Sequence, residues 1–143
     1  MLVPDVNVFV HAYREDADDH ERYLSWLEDL AASEAPFGLV DPVLTGFLRV
    51  VTHPRVFDPP SPIHHALRFV EELKARPNAT PIAPGPRHWG IFTGLCRDAG
   101  VKGDLVAHAA LAALAIESGS EWVTTDRDYA RFPGLRWRHP LDG

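Results

Sequence analysis

Apolar positions fall along the chain in short blocks, and their spacing alternates between that of strands and that of helices. Residues 1–10 are nearly all apolar, broken only by Pro4, Asp5 and Asn7. A strand ending at Asp5 and a short buried helix over 7–13, apolar at 8, 9, 10, 12 and 13, account for this block. A charged break over 14–20 precedes a helix with Tyr23, Leu24, Leu27, Leu30 and Ala31 on one face. Asp18, with Glu21 three residues on, predicts a capping box at its start. Residues 37–40 read as a second strand. Asp41-Pro42 then opens a helix with a capping acid and proline at the first helical position. Val43, Leu44, Phe47, Leu48, Val50 and Val51 make that helix apolar nearly all round, hence buried.

The second half repeats the alternation. After the stiff loop 58–62, Ser61 as cap and Pro62 as first residue predict an amphipathic helix with Ile63, Leu67, Val70 and Leu73 in register. Residues 80–84 form a strand that its prolines confine to a sheet edge. A helix through Trp89, Phe92, Leu95 and Cys96 closes at Gly100. An Ala-rich helix spans 105–118, a strand 121–125, a helical turn 129–132 and a last short strand 135–137. Strands alternating with helices predict an α/β fold: a single three-layer domain over 1–143, with a mainly parallel central sheet flanked by helices.

Composition narrows the class. Hydrophobic residues at 45% and charged residues at 24% are ordinary for a globular domain large enough to hold a full core. The net charge of −6 argues against general electrostatic adhesion to nucleic acid, but leaves room for an enzyme that meets it locally through metal ions. Cys96 is the one cysteine, so no intrachain disulfide forms and a reducing compartment suits the chain. No signal-like leader and no run of about 20 apolar residues is present. The expectation is a cytoplasmic protein with no membrane association.

The chemistry begins with Asp5. An ionised carboxylate among Leu2, Val3, Val6 and Val8 costs several kcal/mol, roughly, without compensation. Asp5 therefore pairs with a cation, faces a polar cleft at a strand tip, or caps the following helix. Asp126 follows the strand over 122–125, and Asp104 stands at a helix N-terminus. The carboxyl ends of parallel strands share one edge, so the three acids can converge there. Close carboxylates repel one another, and a divalent cation reverses that repulsion. Oxygen-only ligands suit Mg²⁺ or Mn²⁺, and the chemistry implied is metal-assisted phosphodiester hydrolysis. Each acid also has a plain structural reading: a cap for Asp104, turn formers for Asp126 and Asp128. His53 and Arg55 could reach a phosphate, though a solvated helix end explains them as well. A haloacid-dehalogenase-like phosphatase needs a second Asp two residues after the first, where Asn7 stands. A receiver domain needs its phosphorylated Asp mid-chain.

Asp5-Val6-Asn7, Gly103-Asp104 before the Ala-rich helix, and Thr124-Thr125-Asp126-Arg127-Asp128-Tyr129 followed by Phe132 together resemble the PIN domain, and within it the VapC-type toxin ribonucleases. The likeness covers nearly the whole chain, including Phe47 to Arg55. It implies Mg²⁺ ligands at Asp5 and Asp104 and a further carboxylate at Asp126. It also implies polar support from Asn7 and Thr124, which orient Asp5 and bound water, with Asp128 as an auxiliary acid. RNA as substrate, a small antitoxin that occludes the site, and a homodimer are implied too. The family commonly carries a Glu in the second buried helix; here Thr45-Gly46 occupies that place. One bound ion with weak affinity is therefore expected. The alternative is a degenerate PIN domain that acts as a binding partner with little nuclease activity.

Overall fold

The computed structural model describes residues 1–142. Its elements run β1 (Leu2–Pro4), α1 (Val6–Tyr13), α2 (His20–Ala32), β2 (Phe37–Val40), α3 (Asp41–Val51), α4 (Ile63–Lys74), β3 (Ala79–Ile82), α5 (His88–Asp98), α6 (Leu105–Glu117), β4 (Glu121–Val123), a 3₁₀ turn (Arg127–Arg131) and β5 (Trp137–Arg138). Every strand pairing is parallel, in the order β3-β2-β1-β4-β5. Strands covered by helices on both faces must be apolar throughout. All four residues of β2 are accordingly buried, as are Val3 and Pro4 of the central strand. β3 lies at an edge, where the missing N–H of Pro81 is tolerated. Gly38 is required by its neighbours: a Cβ there would lie 2.5 Å from Ile82 Cδ1 and 2.7 Å from Val3 Cγ2.

The core is built from Trp122, Tyr129, Phe9, Phe37 and Phe47, all fully buried. Phe47 meets Phe9 edge-on at 6.4 Å, Tyr13 at 5.4 Å and Phe69 at 5.2 Å, which ties α1, α3 and α4 together. On α6 the buried positions are Ala109, Ala112, Ala113, Leu114 and Ala115.

Helix starts are where the structure departs from expectation. The Asp18 capping box does not form: α2 begins at His20, behind an Asp19 in the left-handed region (φ 56°) that makes no side-chain cap. Asp41 is the first residue of α3 rather than its cap, so that helix springs directly from β2 through Val40. Ser61 is not a cap either, because its hydroxyl accepts a bond from Arg14 at 3.0 Å and Pro62 takes the cap position. Arg14 also donates to the Pro59 carbonyl at 3.0 Å and lies over the Phe57 ring at 4.2 Å, which fastens the proline loop to the end of α1. Nor is α3 apolar all round: Thr45 and Arg49 are exposed.

Candidate active site

Asp5 is the residue at which β1 becomes α1. Its N–H donates to the Val123 carbonyl of β4 at 2.8 Å, continuing the sheet by one bond. Its Oδ1 accepts the Val6 N–H at 2.7 Å, which caps α1. Its Oδ2 accepts the Thr124 hydroxyl at 2.7 Å. The Thr124 oxygen in turn accepts the Asp126 N–H at 3.0 Å, so one hydroxyl couples Asp5 to the loop that carries Asp126. Cap and cleft wall are thus the same side chain. Asp5 is 5% exposed, and burial pushes its carboxyl above the usual range despite the bonds from Thr124 and Val6.

Asp126 is held at both oxygens. Oδ1 accepts the Asp128 N–H at 2.9 Å and Oδ2 faces His108 Nε2 at 2.8 Å. Burial alone would raise this carboxyl, but the bonds from His108 and Asp128 outweigh it and hold it below the usual range. His108 Nδ1 lies 3.0 Å from the Asp104 carbonyl. Both ring nitrogens therefore face acceptors, which asks both to carry a proton. Burial opposes that charge; the Asp126 bond prevails and raises the imidazole. The ring stacks on Tyr129 at 4.7 Å.

Asp104 is the N-cap residue of α6, but its carboxylate makes no capping bond and is exposed. A cleft of roughly 750 Å³ is lined by Asp5, Asp104 and Asp126 together, with Asn7, Gly46, Arg49, His88 and His108 among its other walls. The convergence expected at the carboxyl edge of the sheet is present as a shared cleft. Yet it is His108, not the Asp104 carboxylate, that touches Asp126. Among the described residues no three His, Cys, Asp or Glu side chains are gathered closely enough to hold an ion ready-made. The donor chemistry still suits a hard cation: carboxylate oxygens on one cleft, with Asp5 buried and no lysine or arginine bonded to it. An ion that keeps several waters needs few such ligands.

The supporting residues divide. Thr124 bonds Asp5 as described. Asn7 lines the cleft, but the protein bonds to Asp5 come from Val6 and Thr124 and none from Asn7. Asp128 contributes its N–H, while its carboxylate turns to Arg131 at 3.6 Å, outside the cleft. Gly46 does line the cleft, next to Val6, whereas Thr45 is exposed elsewhere. His53 is used locally, accepting the Arg55 N–H at 3.0 Å. His108 and Arg49 were not singled out from the sequence. For His108 a signal existed: it lies four residues after Asp104, hence on the same helix face. Arg49 joins the site only through the packing of α3.

A parallel sheet with aspartates gathered at its carboxyl edge defines a class, and the chain belongs to the PIN-domain family, whose model matches residues 2–135. It is 48% identical to VapC ribonuclease Mb2897 of Mycobacterium bovis over 143 residues, 100% of this chain and 97% of that one. It is 40% identical to ribonuclease VapC25 of Mycobacterium tuberculosis over 140 residues, 98% of this chain and 99% of the relative. Among solved structures it shares its fold with VapBC2 from Rickettsia felis bound to a promoter DNA fragment (TM-score 0.68, 17% identity, 96% and 97% of the two chains). VapBC-1 from nontypeable Haemophilus influenzae is similar (TM-score 0.66, 11% identity, 99% and 98% covered).

Proposed function

We propose that the chain is a divalent-metal-dependent endoribonuclease, the toxin of a toxin–antitoxin pair, with Asp5, Asp104 and Asp126 as its catalytic acids. The observation that carries this is the lining of one cleft by all three, in a chain 48% identical over its whole length to a VapC ribonuclease. Asp5 and Asp104 would hold Mg²⁺ or Mn²⁺, which when bound supplies charge stabilisation at the phosphoryl group and a more acidic water. Asp126, fixed through both oxygens, orients the attacking water from its remaining lone pairs. Thr124 keeps Asp5 turned toward the cleft. Arg49, on the α3 wall, is placed to meet a phosphate of the substrate. Protein ligands this few fit weak metal affinity in the absence of RNA, and Asp128, 3.6 Å from Arg131 and outside the cleft lining, would act only as an auxiliary acid.

The same reading includes a small antitoxin covering the cleft and a homodimer. The exposed Trp89 on α5, 70% accessible, supports an interface on that side; Trp122 by contrast is core. A second reading, a PIN domain that binds without cutting, draws on Thr45-Gly46 and on the lack, among the described residues, of a ready-made ion cluster. Expression of the chain alone and with a cognate small partner separates the two. The nuclease reading expects growth arrest with RNA fragmentation, relieved by the partner, and unaltered growth with intact RNA contradicts it.

A further inference from the structure

His108 joins the two separate elements that carry Asp126 and Asp104. Its Nε2 lies 2.8 Å from Asp126 Oδ2, in the loop after β4, and its Nδ1 lies 3.0 Å from the carbonyl of Asp104, at the start of α6. The ring is half-buried and stacks on Tyr129 at 4.7 Å, and Tyr129 is itself packed against Trp122 at 5.4 Å and Phe132 at 5.9 Å. The imidazole is therefore fixed at two edges and one face, with a support that belongs to the core.

We propose that His108 is a positioning residue for phosphodiester cleavage: it locks the Asp126 carboxylate in one rotamer and ties it to the main chain at the start of α6. The proposal rests on the nuclease reading above. The main chain alone holds Asp126 by Oδ1, through the Asp128 N–H at 2.9 Å. One bond leaves the side chain free to swing about that contact. The second bond, from His108 to Oδ2, removes the swing and leaves one lone pair on each oxygen in a fixed direction. A carboxylate that must orient water loses rate when its direction is averaged, because the productive geometry must then be found at each turnover. Exposed ion pairs such as Arg127–Asp142, 3.5 Å apart, have no such consequence, since both side chains stand largely in solvent.

Three substitutions separate the ring's contacts. H108F keeps the stacking on Tyr129 and loses both hydrogen bonds. H108Q returns a donor at the reach of Nε2, and H108N returns one only at the reach of Nδ1. Cleavage of a structured RNA is measured with Mg²⁺, and the χ1 couplings of Asp126 are read by NMR on the same samples. H108F and H108N are expected to lose about 10- to 100-fold in kcat with KM changed less than about two-fold, and H108Q to recover to within about three-fold of the parent. The couplings should report one Asp126 rotamer in the parent and H108Q, and averaging in H108F. Folded H108F that cuts at the parent's rate, or that keeps Asp126 in one rotamer, overturns the proposal. If the parent itself cuts no RNA, the nuclease reading falls. The couplings then decide alone: averaging in H108F upholds the lock, and a single rotamer overturns it.

Discussion

A carboxylate buried without a cation is a liability that a domain of this size does not carry idly. Asp5 has its pKa raised by burial above the ordinary 3.8. Between 3.8 and that raised value the folded chain binds more protons than the unfolded one. Asp5 therefore favours folding below 3.8, and this contribution is lost as pH rises through the folded pKa. At neutral pH its ionisation is a net cost. Asp5→Asn keeps a capping oxygen for Val6 and removes the charge. It should stabilise the metal-free chain at pH 7 by on the order of 1 kcal/mol, a gain that vanishes below about pH 4, while abolishing cleavage. Thermal melts across pH check this; an Asp5→Asn chain less stable than the parent at pH 7 contradicts it.

Thr124 is the other decisive residue. Thr124→Val leaves Asp5 Oδ2 without its donor and the Asp126 N–H without its acceptor. The expected destabilisation is about 2 kcal/mol in denaturant unfolding, smaller in an Asp5→Asn background because the two groups share one network. Equal losses in both backgrounds would mean that the Asp5–Thr124 bond contributes nothing.

At the scale of elements, α3 decides how the cleft is furnished. Gly46 lies on its cleft-facing side, and an added Cβ would come within 3.0 Å of Val6 Cγ2, so Val6 must yield by a few tenths of an ångström. Gly46→Glu adds an acid on the cleft side of this helix, with Gly46→Ala as the control for packing. The Glu variant should bind Mg²⁺ more tightly by calorimetry and cut faster, and the Ala variant should do neither. Unchanged affinity in a folded Glu variant would show that the side chain is directed away from the ion. The apolar pattern marked α3 but not its exposed side, and proline chemistry marked the edge position of β3. Local sequence misjudged the helix starts, because a cap depends on what else competes for it. Ser61 is claimed by Arg14, 47 residues away, and Asp18 is displaced by the left-handed Asp19. Long-range hydrogen bonds of this kind leave no trace in local spacing.

For the whole molecule, the aspartates that one sheet edge would bring together were readable, because parallel strands place all their carboxyl ends on one side. Which atoms meet was not. The Asp126–His108 bond needs α6 to lie on the sheet at a height set by its buried alanines, and the Asp128 carboxylate lies toward Arg131 rather than in the cleft. The net charge of −6 is consistent with an acidic cleft rather than a broad basic footprint. On the nuclease reading, contact with RNA would be concentrated at the cleft, and cleavage should depend on the divalent ion more steeply than on monovalent salt. The central claim is tested by incubating the parent, Asp5→Asn, Asp104→Asn and Asp126→Asn chains with structured RNA over a Mg²⁺ series, with EDTA as the zero point. The account predicts cleavage by the parent that rises with Mg²⁺ and stops in EDTA, and little or none by the three folded variants. Cleavage that persists in EDTA, or that Asp5→Asn and Asp104→Asn retain at the parent's rate, would contradict it.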